Sequence, residues 1–262
     1  MKRIILIAVV LLFVAGSASA WNGLGHRTVV EIAKRHLTDE AKANIAKYMP
    51  YDIVKEASWM DRNRLGSPWP YSNDWHSLYY DSKLRHDPNG KIAHGDLARA
   101  LHLADHNLRM YRELTDSAVM YNLRAILHFV GDMHCPVHVA KQGARSGGKN
   151  PVYFKGQRFN SFHSFYDRTP MLIHGADTPH TLIADRIDIA KKSERKKICK
   201  GTIDDWINDA IRRTCIIHEW NPNDGTKELR DNTLELSTPL VNDQLRRAGY
   251  RLAHLLNIYF AE

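Results

Sequence analysis

Residues 118–138 read AVMYNLRAILHFVGDMHCPVH. The pattern predicts a long amphipathic helix over 118–134, which Pro136 ends or bends because proline cannot continue the hydrogen-bond ladder. His128 and Asp132 are four residues apart and therefore share one helix face. Arg124 precedes them by four, while Ile126, Leu127 and Val130 cover other faces. Beyond the proline, His138 can swing back toward the same centre. Imidazole and carboxylate are the usual non-thiolate ligands of zinc, so this helix end reads as a candidate metal site.

Working outward, a second pair at the same spacing follows in His163 and Asp167. Upstream, Asp61 lies in ASWMDRNR and His76 in NDWHSLYY. Trp21 and His26 are five residues apart. Most of the remaining sequence also has helical periodicity. Helices are expected over 27–37, over DEAKANIAKYM behind the Thr38 and Asp39 caps, over 53–64, 95–114, 180–192, 202–218 and 238–260, with another starting near Ser161. PVYFKGQRFN (151–160) reads as a short hairpin or irregular loop, and KQGARSGGKN (141–150) as flexible and basic. No βαβ rhythm is present and no glycine-rich loop follows a strand, which argues against a nucleotide-binding sheet.

The first twenty residues, MKRIILIAVVLLFVAGSASA, contain a basic start, a short apolar run and a small-residue cleavage site. They read as a secretory signal peptide cut after Ala20, too short to span a membrane comfortably. Cleavage would expose an α-amine on Trp21, which can chelate together with its own carbonyl oxygen. The whole chain of 262 residues carries a net charge of +8, and loss of Lys2 and Arg3 leaves it still basic. A basic surface attracts polyanions such as nucleic acid or anionic membrane, though it also serves plain solubility. No stable protein partner is inferred, and a monomer is expected. Three cysteines leave at least one thiol without an internal mate. Cys199 with Cys215 is the expected disulfide, because Cys135 lies within the dense motif, where a soft thiol could also bind metal.

Together these motifs resemble the single-strand-specific zinc nucleases and 3′-nucleotidases, which share a superfamily with zinc-dependent phospholipase C. The resemblance runs over almost all of residues 21–262. It rests on Trp21 directly after the signal, Gly25-His26, the A-S-W-x-D stretch ending at Asp61, Trp75-His76, H-F-x-G-D at 128–132, P-x-H at 136–138, and H-x3-D at His163 and Asp167. It implies a mainly α, single-domain, multi-helix fold and a cluster of three Zn2+ ions. One ion would be held by Asp61, His76, His128 and Asp132; a neighbour by Trp21, His26 and the bridging Asp132; a third by His138, His163 and Asp167. His134 and Cys135 occupy positions the family does not use as ligands, and His134 reads as a supporting or surface residue. The attacking group would be a metal-bridging hydroxide oriented by Asp61, with Arg64 on the phosphate. Clustered dications neutralise the phosphodiester and stabilise charge on the attacked phosphate and the leaving oxygen.

The implied activity is hydrolysis of single-stranded DNA and RNA to 5′-phosphorylated products, and of 3′-nucleotides to nucleosides, by an exported enzyme. Some positions depart from the family pattern. Tyr79 stands where a base-recognising carboxylate is common, the nearest acid being Asp81. The Gly-Gly-Asn loop appears as Gly147-Gly148-Lys149-Asn150, and Tyr166 replaces a common tryptophan. Tyr79, Asp81, Lys149 and Asn150 are the substrate-side candidates. Tyr79, Tyr80, Phe154 and Phe162 either belong to the core or offer stacking faces to bases. Two other readings are a phospholipase C, whose final ligand pair is usually H-x3-E rather than the H-x3-D found here, and a non-catalytic zinc-binding protein, which would not need Asp61 with Arg64.

Overall fold

The computed structural model describes residues 21–63, 71–90, 94–141, 150–220 and 227–261. Helix α1 (Gly23–Arg35) starts at Asn22, whose side chain accepts the Gly25 N–H at 3.2 Å, and it buries Val29, Val30, Ile32 and Ala33. Helix α2 (Asp39–Tyr48) is capped by Thr38 as its sequence predicts. The stretch expected as one helix over 53–64 is instead a 3₁₀ turn (Ile53–Glu56) followed by the short α3 (Trp59–Arg62). Another 3₁₀ segment, Ser72–His76, leads into strand β1 (Leu78–Tyr80). Helices α4 (Leu97–Arg109) and α5 (Asp116–His134) pack against each other, with Thr115 capping the second through the Ala118 N–H. Helix α5 ends at His134, two residues before Pro136.

Strand β2 (Val139–Lys141) follows and pairs in parallel with β1, in the register Leu78↔Val139. Three-residue strands are too short to show a period, so this ladder has no signature in the residue pattern. Strands β3 (Val152–Phe154) and β4 (Gln157–Phe159) form the expected hairpin. Ser161 caps α6 (Phe162–Asp167), and α7 (Thr169–His174) follows. The helix expected over 180–192 ends early as α8 (His180–Ile187), with a separate α9 (Lys192–Ile198) beyond it, and the one over 202–218 divides into α10 (Ile203–Thr214) and α11 (Ile217–Trp220). The last helix, α12 (Thr233–Tyr259), starts earlier than expected and holds Pro239 in its second turn. The result is a mainly α single domain.

The core lies where α1, α5 and α12 meet. Gly249 of α12 permits the closest approach, since a Cβ there would stand 2.5 Å from Ile32 Cγ2 of α1. Tyr80, Phe154 and Phe162 are buried in this core, so they offer no stacking faces. The expected Cys199–Cys215 disulfide is not formed. Each thiol is turned to its own acceptor, Cys199 Sγ to the Tyr250 carbonyl at 3.4 Å and Cys215 Sγ to the Arg212 carbonyl at 3.5 Å. Among the described residues, no helix is long and apolar enough to cross a membrane.

Candidate metal centre

Asp132 is the hub of a buried polar cluster. Its Oδ1 lies 3.3 Å from His26 Nε2, and its Oδ2 lies 2.9 Å from His76 Nδ1 and 3.4 Å from His128 Nε2. Asp61 Oδ1 is 3.7 Å from both His76 Nδ1 and His128 Nε2. The His26 and His128 rings stack with centroids 4.0 Å apart. These side chains come from α1, α3, the 3₁₀ segment before β1, and α5.

A second group adjoins the first. His138 Nε2 lies 3.7 Å from Asp167 Oδ1, and His163 Nε2 lies 3.3 Å from Asp167 Oδ2. Asp167 closes α6, one turn beyond His163. Trp21 is fully buried, and the neighbouring Asn22 N–H donates to the Asp167 carbonyl at 2.8 Å, which holds the start of α1 against α6.

Backbone groups aim these rings. The Ala57 carbonyl accepts the proton on His128 Nδ1 at 2.9 Å, and the His76 carbonyl accepts the one on His138 Nδ1. Each histidine therefore presents Nε2 to the cluster. Holding one ring nitrogen on a carbonyl is how proteins orient a ligating imidazole. The β1–β2 ladder reinforces this, with the Leu78 N–H donating to the His138 carbonyl at 2.9 Å. Gly131 leaves room for His26, since a Cβ there would lie 2.7 Å from His26 Nδ1.

The electrostatics suit multivalent cations. Burial alone would raise the Asp61 carboxyl, but His128 and His76 hold it down at about 2. Burial would raise Asp132 too, but His128, then His138 and His26, hold it well below the usual carboxylate range. Burial lowers the His128 imidazole, yet Asp132 and Asp61 outweigh it and raise the ring to about 9. Burial dominates at Asp167, which rises to about 7 despite the pull of His138.

The donors also fit zinc by their unmet valences. His26 Nδ1 and Nε2, Asp132 Oδ1, His138 Nε2 and Asp167 Oδ2 are buried and have no hydrogen-bond partner among the described residues. Buried polar atoms are rarely left so, because each costs about 1–3 kcal/mol. Three sets bring their donor atoms within 4.8 Å of one another: His26, His128 and Asp132; Asp61, His76 and His128; and Cys135, His138 and Asp167. Nitrogen and oxygen donors in buried groups of three or more match zinc's preferences.

Eight of the nine expected ligand residues make up these two groups, and Trp21 is buried next to Gly131 and His26. Of the remaining candidates, Tyr79 is half-buried in β1, and Asp81 accepts the N–H groups of Lys83 and Arg85 in its own turn. Asn150 is exposed, and Arg64 and Lys149 lie outside the described residues. Three supporting features have no sequence signature: the Ala57 carbonyl, the clearance at Gly131, and Arg251. The Arg251 Nη1 donates to His134 Nε2 at 2.9 Å, while His134 Nδ1 donates to the Val130 carbonyl. Burial first, then Arg251, lowers the His134 ring to about 3, so it stays neutral. His134 is thus a buried support within α5.

A family model described as S1/P1 Nuclease matches residues 21–261. "Endonuclease 2" of Arabidopsis thaliana is 26% identical, over 97% of this chain and 96% of its own length. "Nuclease S1" of Aspergillus oryzae is 22% identical over 98% of each. "Nuclease P1" of Penicillium citrinum is 27% identical over 56% of this chain and 57% of its own. A match that begins at Trp21 and runs through every donor of the buried cluster assigns this chain to the S1/P1 nuclease family.

Proposed function

We propose that this chain is an exported zinc-dependent phosphodiesterase. It hydrolyses single-stranded DNA and RNA to 5′-phosphorylated products, and 3′-nucleotides to nucleosides. The observation that carries the reading is the convergence of buried histidine and aspartate donors, several with unmet valences, in a chain of this family.

Asp61, His76, His128 and Asp132 hold one ion; His26, Asp132 and the amine and carbonyl of Trp21 a second; His138, His163 and Asp167 a third. Such ions neutralise phosphate charge and make water a better nucleophile near neutral pH. Asp61 stays ionised, so it can accept a hydrogen bond from an attacking water and orient it. Asp132 holds three imidazoles in one geometry, so the centre is preorganised before substrate arrives. Arg64 is assigned to the phosphate on the family pattern alone. Tyr79, Asp81, Lys149 and Asn150 remain substrate-side candidates. The Trp21 amine becomes available once the chain is cut after Ala20.

The test is hydrolysis of single-stranded DNA, RNA, 3′-AMP and short-chain phosphatidylcholine, each with and without chelator and with zinc restored. Nucleotide cleavage that chelation abolishes and zinc restores is expected. Lipid cleavage without nucleotide cleavage overturns the reading.

A further inference from the structure

We propose that Cys135 is a fourth protein ligand of the ion at His138, His163 and Asp167, giving that position a sulfur donor. The inference rests on the zinc reading above and concerns a residue to which the family resemblance gives no role.

Cys135 is fixed on both sides. Its N–H donates to the Asp132 carbonyl at 2.9 Å as the cap of α5, and its own carbonyl accepts the His138 N–H at 3.0 Å. The side chain is fully buried and places Sγ 3.8 Å from Asp167 Oδ1. Sγ, a His138 ring nitrogen and an Asp167 oxygen all lie within 4.8 Å of one another.

A buried thiol alone would be an inert core residue. The second observation is that the buried His138 Nε2 near it lacks a hydrogen-bond partner among the described residues. His138 Nδ1 is committed to the His76 carbonyl, so Nε2 is the nitrogen left for a ligand. Around tetrahedral zinc, with Zn–S about 2.3 Å and Zn–N about 2.1 Å, neighbouring donors stand roughly 3.4–3.6 Å apart. Contraction of up to about 1.4 Å brings the three atoms to that spacing, and His163 supplies a further nitrogen. On coordination the Sγ–H bond breaks, the proton leaves to solvent, and a sulfur lone pair forms the bond to the ion, with no change of oxidation state.

The experiment is reconstitution with Co2+, counting ions by elemental analysis and recording the near-ultraviolet spectrum. Three ions per chain and a sulfur-to-cobalt charge-transfer band are expected in the parent and in Cys199→Ser, with the band lost in Cys135→Ser. Loss of an outer-shell partner already weakens metal binding about 10–100-fold, so Cys135→Ser should release one ion to chelator faster by at least that factor. Cadmium NMR of the parent needs no variant: one of three resonances should fall in the thiolate range. Three bound ions with no sulfur signature overturn the fourth ligand and leave the zinc reading standing. Fewer than three bound ions overturn both.

Discussion

At the scale of single residues, Asp132 and Gly131 carry the sharpest expectations. Asp132 is in contact with three imidazoles. Asp132→Asn keeps its shape but removes the charge, and should cost at least one bound ion and nearly all nuclease activity, as read by elemental analysis and turnover. Gly131→Ala adds only a methyl group, yet it would press on His26. Lower zinc content with helical circular dichroism unchanged is the expected outcome; full zinc content would show that His26 can shift without loss. The paired His-x3-Asp spacings were legible because a helix places residues four apart on one face. The aiming carbonyls of Ala57 and His76 were not, since a backbone carbonyl looks the same at every position. The disulfide expectation failed because counting cysteines says nothing about where a thiol points.

At the scale of elements, the caps and the short ladder decide how firmly the donors are held. Thr115 caps α5, which carries His128 and Asp132, so Thr115→Ala should lower stability by about 1 kcal/mol without changing zinc stoichiometry, as measured by chemical denaturation. Helices with strong periodicity, α1, α2, α4 and α5, could be read from the sequence. The stretch 53–64 could not be divided correctly, because its apolar pattern fits both a continuous helix and the 3₁₀ turn with α3. The break between α8 and α9 follows a tertiary contact: Asp188 accepts from the Tyr250 hydroxyl at 2.7 Å and lies 2.9 Å from His36 Nε2. That contact joins positions far apart in the chain, beyond the reach of local pattern.

At the scale of the whole molecule, α12 binds the acidic residues of α10 and of its own surface into one network. Burial would raise the Asp209 carboxyl, but hydrogen bonding and charge from Arg251, with Arg213, hold it below the ordinary range. Arg246 and Arg247 do the same for Asp243. A carboxylate lowered in the folded state contributes stability above its unfolded pKa of about 3.9 and loses that contribution as pH falls through the folded value. The melting temperature should therefore drop on acidification below about pH 4, and Asp209→Asn should flatten part of that slope relative to the parent. Zinc-bound protein should also melt higher than chelator-treated protein, because ligands of the folded state alone shift the equilibrium by mass action.

Helix α12 packs on α1, which carries His26, and its Arg251 supports His134 in α5. Two helices far apart in the chain are thus walls of one site. Without α12, α1 has nothing to lie against and the candidate donors have no fixed arrangement. A chain cut ahead of Thr233 should therefore cleave nothing, so a single proteolytic nick there would silence the enzyme without touching a donor.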